Sequence, residues 1–190
     1  DMILYSSSRR IDFKTAVDWN ESHRLLKAAF NADVRSTKAT YDIQFGHAER
    51  PTHVNTSWDY ARFEVAAHKW MDISDSNYGV SILNDCKYGH SARGNKISIT
   101  LLKSAKFPDC SADMGTHEFT YSLLPHDGTA VSGETVKQAN LLNMPPLVLS
   151  GKSAAENKKL FTVNSENVII DAVKQADDGN GIILRLHECR

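Results

Sequence analysis

Four side chains suited to binding a polar ligand stand together in residues 84–88, directly after an apolar stretch that ends at Leu83. They are a carboxamide, a carboxylate, an ammonium group and a phenol, on Asn84, Asp85, Lys87 and Tyr88. Strand propensity alone does not require such a group, and binding residues are concentrated on the connections that follow regular elements. These four residues are therefore the first candidates for a functional site.

The eight histidines raise the question of a metal site. Their spacing does not support one, because His117-Glu118 lacks the second histidine of the helical zinc-protease signature. We expect histidines that are hydrogen-bonded or at the surface, and we predict no metal ligand. A convergence in the folded chain stays open for His68, His90, His117 and His126.

No catalytic residue follows from the residue types alone. Lys87 stands beside Cys86 and could lower the pKa of its thiol, although a cysteine next to a strand is more often a small core residue. Glycoside hydrolysis needs two carboxyl groups about 5 to 9 Å apart, and Asp72, Asp75 and Asp85 are close in sequence. We expect Asp72 and Asp75 to cap turns; for Asp85 a turn cap and a ligand contact are both open.

Five aromatic side chains with polar tips could stack on sugar rings, and core packing explains any one of them equally well. They are Trp58, Tyr60, Trp70, Tyr78 and Tyr88. This pattern keeps a carbohydrate-binding function among the alternatives.

The elements that position these side chains are mostly short strands. Apolar and polar residues alternate with period two, which is typical of half-buried strands, in Ile11–Trp19, Tyr41–Phe45, Phe63–Ala67, Val80–Leu83, Ile97–Leu101 and Phe119–Leu123. Further strands are predicted at Leu147–Leu149, Leu160–Val163, Val168–Val173 and Gly181–Leu186, whereas Glu21–Phe30 fits a strand or a helix. Gly94-Asn95 and Asp177–Gly181 are turn signals, and only Thr129–Leu142 favours a short helix, before Pro145-Pro146. About ten strands predict an all-β, antiparallel β-sandwich or barrel, with at most one or two short helices, forming a single domain over residues 1–190.

Composition bounds the location and the class of partner. The net charge of −1 over 190 residues gives no basic excess for nucleic acid, and no run approaches the roughly 20 apolar residues of a membrane span. The three cysteines lack CxxC spacing, which favours a reducing compartment. The first twenty residues lack the features of a signal peptide, so we expect a cytoplasmic protein. The chain starts and stops within apparent strands, which predicts a piece of a longer polypeptide.

Distinctive motifs run from residue 17 to residue 179. In order they are Val17-Asp18-Trp19-Asn20-Glu21, Leu25-Leu26-Lys27-Ala28-Ala29-Phe30, Glu49-Arg50-Pro51-Thr52-His53, Asn55-Thr56-Ser57-Trp58, His68-Lys69-Trp70, Tyr78-Gly79-Val80, Asn84-Asp85-Cys86-Lys87-Tyr88-Gly89, Ala112-Asp113-Met114-Gly115-Thr116-His117, Tyr121 with Pro125-His126, and Lys174-Gln175-Ala176-Asp177-Asp178-Gly179. Together they resemble the alpha-mannosidases of glycoside hydrolase family 38, above all the cytosolic and vacuolar branch and its bacterial relatives.

This resemblance implies a galactose mutarotase-like super-sandwich at the C-terminal end of a much longer enzyme. In that family an N-terminal β/α barrel carries the zinc site, the nucleophile and the acid, a helical bundle follows, and the mechanism is retaining. No position here matches the barrel's motifs, so no catalytic or zinc-binding residue is carried over and the chain alone is predicted to be inactive.

The implied partners are the enzyme's own barrel and helical domain and mannose-containing oligosaccharides. The resemblance places Asn84, Asp85, Lys87 and Tyr88 at the border of the substrate cleft as an active-site wall. The alternative is a free-standing carbohydrate-binding module.

Overall fold

The computed structural model describes residues 1–131, 134–151 and 159–189, and these ranges contain thirteen strands and two helices. The first strands are β1 (Met2–Leu4), β2 (Ile11–Trp19), β3 (Leu25–Asn31), β4 (Lys38–Ile43) and β5 (Gly46–Pro51), followed by helix α1 (Ser57–Ala61). Next come β6 (Val65–Ala66), β7 (Trp70–Ser74), β8 (Tyr78–Asn84), β9 (Gly89–Arg93), β10 (Lys96–Lys103) and β11 (Gly115–Asp127). Helix α2 (Thr135–Asn143) and the strands β12 (Val168–Gln175) and β13 (Ile182–Glu188) complete the order.

Two antiparallel sheets pack face to face around the main core. The larger has the order β1-β2-β11-β8-β7-β4-β5 and the smaller the order β3-β10-β9-β6. Alternate residues of the central strands point inward, including Ile73 and Ile82 from the larger sheet and Ile97 and Ile99 from the smaller, all with no exposed surface. Burial of such side chains contributes about 1.5–3 kcal/mol each, so period-two alternation fixes which face of each strand is buried.

Helix α2 covers the other face of the larger sheet. Its Ala139 packs in a second apolar cluster with Trp70 of β7, Leu83 of β8 and Leu124 of β11. Strands β7 and β8 are therefore buried on both faces, which explains why they carry few exposed positions. The outer face also holds Asp72, Ser81 and His126, all buried beneath α2.

The last two strands form a separate hairpin. β12 and β13 pair only with each other among the described residues, and they are joined through the predicted turn at residues 177–181. One face of this hairpin is apolar and exposed, with Ile182 at 69% and Leu186 at 52%. An isolated two-stranded sheet is marginally stable in water. The exposed apolar face of this hairpin is therefore a surface that would gain stability by packing against other residues.

The structure confirms the antiparallel β-sandwich with two short helices and resolves the ambiguous stretch at Glu21–Phe30, where β3 begins at Leu25. The strands predicted at Leu147–Leu149 and Leu160–Val163 are wrong. The first run follows two prolines and lies 79–85% exposed, without a partner strand in the described part of the chain, and three apolar residues cannot form a strand without a neighbour.

Helix α2 begins at Thr135; of the range predicted as helical, Ser132 and Gly133 lie outside the described residues. No helix in the described ranges is long and apolar enough to cross a membrane.

Candidate functional site

Asn84 organises the polar turn between β8 and β9 from inside the protein. Its side chain is 1% exposed. Its Nδ2 donates to the carbonyl oxygen of His68 at 2.9 Å, and its Oδ1 accepts from the backbone N–H of Lys87 at 2.7 Å. The Nδ2 of Asn143 in α2 donates to the Asn84 carbonyl oxygen at 2.9 Å. Asn84 therefore fixes the shape of the turn, and the neighbouring side chains face outward.

Asp85, Lys87 and Tyr88 reach the surface from this turn. The backbone N–H of Thr120 donates to Asp85 Oδ2 at 2.8 Å, so Asp85 ties the turn to β11 and is not a cap within its own turn. The ammonium group of Lys87 lies 4.6 Å from the centre of the Phe119 ring. Tyr88 is 57% exposed. The structure thus brings together one carboxylate, one ammonium group and one phenol on an exposed rim, and their role as an active-site wall stays a prediction.

Cys86 lies in the same turn but is not an activated nucleophile. Partial burial, followed by the hydrogen bond and the negative charge of Asp85, raises the pKa of its thiol to about 11, while the charge of Lys87 opposes the shift. The thiol is therefore protonated at neutral pH, and only a thiolate is reactive. Cys86 is also exposed, so it is not the core residue considered from the sequence.

The four candidate histidines do not form one site. His68 packs edge-on against Tyr88, and His117 Nε2 lies 2.9 Å from the carbonyl oxygen of Asp113. His90 and His126 are buried in different sheets. Across residues 1–131, 134–151 and 159–189, no group of three histidine, cysteine or acidic residues could hold a metal ion. The described residues therefore offer no site for zinc, which the family resemblance places in the barrel.

Asp72 is not the turn cap expected from the sequence. It lies in the middle of β7 with no exposed surface, and its carboxylate accepts hydrogen bonds from Ser74 Oγ at 2.6 Å and Ser81 Oγ at 2.7 Å. His126 Nε2 lies 2.7 Å from Asp72 Oδ1. The Thr135 hydroxyl contacts Ser81 Oγ at 2.7 Å and must donate to it, because the hydrogen of Ser81 is used by Asp72. This Asp72 network joins three strands to the start of α2.

The surroundings of His126 favour its charged form. Burial alone would lower its pKa, but the hydrogen bond and the charge of Asp72 outweigh burial and raise the pKa above 6.5. Its Nδ1 lies 3.3 Å from the carbonyl oxygen of Asp127, which only accepts, so both ring nitrogens face acceptors. Asp72 and His126 therefore form a buried ion pair.

We expect the ion pair to make stability fall as the pH rises. A folded-state pKa above the ordinary 6.5 gives a contribution that is complete below 6.5 and is lost as the pH passes the raised value. The urea midpoint of the native chain should drop as the pH rises above 6.5, and His126→Gln should flatten this dependence. His117→Gln is the matched control, and an unchanged slope in His126→Gln would contradict the assignment.

Asp75 is the turn cap that the sequence predicts. Its Oδ1 accepts from the backbone N–H groups of Asn77 at 2.7 Å and Tyr78 at 2.9 Å, and these bonds lower its pKa. A glycosidic acid needs an accessible carboxyl group with a raised pKa. Neither the buried Asp72 nor the ionised Asp75 meets that requirement.

A second exposed region, rich in aromatic side chains, begins at helix α1, close to the turn of residues 84–88. Ala67 donates its backbone N–H to the Tyr88 carbonyl oxygen at 3.0 Å, so β6 leads directly from α1 to that turn. Thr56 caps α1 in a capping box with Asp59. Side chains on and beside this helix are strongly exposed: Trp58 at 83%, Tyr60 at 66% and Phe63 at 67%.

Beneath α1 lies a small cavity of about 20 Å³ that is lined in part by Arg50 and His90. Among the described residues, the Nε of Arg50 and both ring nitrogens of His90 are buried without a partner that meets hydrogen-bond geometry. Burial lowers the pKa of His90 to about 4, against the opposing backbone contact with Tyr88, so the ring is neutral at pH 7. The sequence does not show that these nitrogens lack partners, because that depends on how distant segments pack.

Another cavity, of about 180 Å³, separates the sandwich from the terminal hairpin. Asp42 and Lys69 line it on the sandwich side, and Asp171 and His187 on the hairpin side. Burial raises the pKa of Asp42, while the backbone N–H of Lys69, which donates to its Oδ2 at 2.8 Å, opposes the shift. His187 Nδ1 and Asp171 Oδ2 are 2.7 Å apart. Asp42 is thus bonded to Lys69 within the sandwich, and Asp171 is paired with His187 within the hairpin.

Comparison with known families matches two parts of the chain. Residues 1–111 match the family described as Glycosyl hydrolases family 38 C-terminal domain. Residues 167–190, which include both strands of the terminal hairpin, match the Glycosyl hydrolases family 38 C-terminal beta sandwich domain.

Individual proteins give the same result. The chain is 49% identical to human Alpha-mannosidase 2C1 over 99% of its length, and 45% identical to Alpha-mannosidase G of Dictyostelium discoideum over 98%. It spans 19% and 18% of those two proteins. A crystal structure of an alpha-mannosidase from Enterococcus faecalis V583 has the same fold over 97% of this chain and 22% of its own, with a TM-score of 0.83 at 19% identity.

Proposed function

Because the chain belongs to the Glycosyl hydrolases family 38 C-terminal domains, we propose that it acts as a non-catalytic β-sandwich of an alpha-mannosidase. The observation that carries this proposal is the 49% identity with human Alpha-mannosidase 2C1, which extends over 99% of the chain but only 19% of that protein. Its longer polypeptide would hydrolyse terminal alpha-linked mannose from oligosaccharides in the cytoplasm, in a retaining, zinc-dependent reaction.

In this proposal the chemistry lies outside the present chain. Its most reactive residue types support that division, since the Cys86 thiol has its pKa raised to about 11 and the Asp72 carboxylate has no exposed surface. The zinc would be held by the catalytic region, as would the nucleophile and the acid. The sandwich contributes support for that region and one border of its active site.

The border is proposed to be the rim of Asp85, Lys87 and Tyr88. An ammonium group and a phenol can hydrogen-bond to the hydroxyl groups of a sugar. Asn84 cannot reach a substrate from its buried position, but its two side-chain bonds set the direction of the outward-facing groups. The proposal therefore divides the four predicted residues into one that positions the turn and three that line the cleft.

We expect the full-length polypeptide that contains this chain to hydrolyse an aryl alpha-mannoside with retention of configuration. Lys87→Met should raise KM by about three- to tenfold and change kcat less, because one hydrogen bond to a substrate hydroxyl contributes about 0.5–1.5 kcal/mol. Steady-state kinetics on the purified enzyme measure both constants. Tyr88→Phe, which removes only the hydroxyl group, should act in the same direction.

Lys96→Met is the matched control, since Lys96 is an exposed lysine at the start of β10, where it pairs with Arg93 of β9. Unchanged KM and kcat in Lys87→Met and in Asp85→Ala would make the turn structural. Absence of mannosidase activity, together with heat on titration of the chain with millimolar mannose oligosaccharide, would favour the free-standing carbohydrate-binding module.

A further inference from the structure

Residues 53–63, which include helix α1, form an exposed segment that we call the α1 knob. Within it Val54, Trp58, Tyr60 and Phe63 are 41%, 83%, 66% and 67% exposed. Single exposed apolar residues are ordinary, but a group of them on one short segment is typical of an interaction site. Tryptophan and tyrosine are also the residues most enriched among those that dominate interface energies.

The knob is held rigidly. Asp59 is only 9% exposed, and its Oδ2 accepts from the backbone N–H groups of Asn55 at 3.3 Å and Thr56 at 3.2 Å and from the Thr56 hydroxyl at 2.9 Å. Arg62 lies 3.5 Å from the other carboxylate oxygen. A segment that is ordered before binding loses little conformational entropy when it binds. Burying the exposed rings against a partner therefore carries a small entropic cost.

The shape of the knob fits a concave partner and not a sugar ring. Residues two apart on a helix do not face each other, so Trp58 and Tyr60 point to different sides of α1. The rings of Tyr60 and Phe63 are inclined by 63° and form no flat platform. A ligand that contacts all three rings must surround the knob, as a pocket on a protein surface does.

The base of the knob favours a negatively charged group. The buried Nε of Arg50 has no partner among the described residues, and the side chain lies against the Tyr41 ring with its guanidinium carbon 5.7 Å from the ring centre. The two acids at the cavity are engaged elsewhere: Asp59 in the cap, and Glu64 with Lys27 Nζ at 2.6 Å and with the Thr100 hydroxyl. The enclosed volume of about 20 Å³ accepts one oxygen atom.

We propose that the α1 knob docks this domain onto the catalytic region of the same polypeptide, which supplies a concave apolar surface and a carboxylate for Arg50. This inference rests on the proposed function. The chain spans 19% of human Alpha-mannosidase 2C1, and a tethered partner is present at a millimolar effective concentration. The remainder of the polypeptide is therefore favoured over a second copy.

The test is a photo-cross-link in the full-length enzyme. With p-benzoylphenylalanine in place of Trp58, irradiation followed by peptide mass spectrometry should give cross-links to residues N-terminal to this chain. Arg50→Gln should lower the cross-link yield about fivefold and remove its sensitivity to salt, because a charge-assisted contact is lost. Lys96→Gln, with the same loss of charge on an exposed site, should leave the yield unchanged.

Cross-links only between copies, or none at all, would overturn the docking proposal, as would protection of residues 53–63 from hydrogen exchange by mannose oligosaccharide. An unchanged yield in Arg50→Gln would overturn the carboxylate contact. Hydrolysis of an aryl alpha-mannoside is measured in parallel, so a failure of the proposed function is seen separately from a failure of the knob to dock.

Discussion

Asp72→Ala is expected to lower the free energy of unfolding by about 3–5 kcal/mol, because it leaves the buried donor on His126 without its acceptor and each unsatisfied buried group costs about 1–3 kcal/mol. The substitution also removes the acceptor for Ser74 and Ser81, which are hydrogen-bonded to the same carboxylate at 2.6 and 2.7 Å. A domain of ordinary stability has about 5–15 kcal/mol in total, so this loss is a large fraction of the total. Urea denaturation followed by tryptophan fluorescence measures the loss.

Asp75→Ala is the control, three residues away and exposed, and should cost about 1 kcal/mol or less. The double variant Asp72→Ala/His126→Ala should lose much less than the sum of the two single losses, because neither charge is then left alone. Additive losses would mean that the two side chains do not interact.

Gly79→Ala is expected to cost about 2–3 kcal/mol through overpacking. A Cβ atom at this position would lie 2.4 Å from Cε1 of His126 and 2.6 Å from Cβ of Ser74. Neither neighbour can yield easily, since the ring is bound to Asp72 and a Cβ atom moves only with its backbone. The midpoint of urea denaturation should therefore fall with an unchanged slope.

Gly46→Ala is the matched control, because no atom of the described residues lies within 4 Å of the place that its added methyl group would take. It should change stability by less than about 1 kcal/mol. A similar loss in both variants would show that the close approach of His126 is not the reason for glycine at position 79.

The sequence predicted the strands whose one face is buried, and the reason is visible in β2. Ile11–Trp19 alternates because only one of its faces meets the core. The same rule failed at Leu147–Leu149, where three apolar residues have no neighbouring strand within the described ranges. Apolar character shows that a segment is able to pack, whereas pairing depends on residues far away in the chain.

The candidate site was predictable in part. Residue types placed Asn84, Asp85, Lys87 and Tyr88 on one turn, as found, but the inward direction of Asn84 follows from its bond to the His68 carbonyl oxygen. Asp72 was misread because its partner His126 stands 54 residues away. A buried ion pair across strands leaves no local pattern, and the buried nitrogens of Arg50 and His90 leave none either.

The position of β11 in the larger sheet has a consequence for how the chain folds during synthesis. β11 lies between β2 and β8, and its residue Phe119 pairs with Thr15, about a hundred residues earlier. Until residue 127 leaves the ribosome, both neighbours present open hydrogen-bonding edges, which are prone to wrong pairing. Residues 1–111, which match the first of the two families, end before this strand. A fragment cut after residue 111 would lack the central strand that joins β2 to β8, so its larger sheet would fall into two parts.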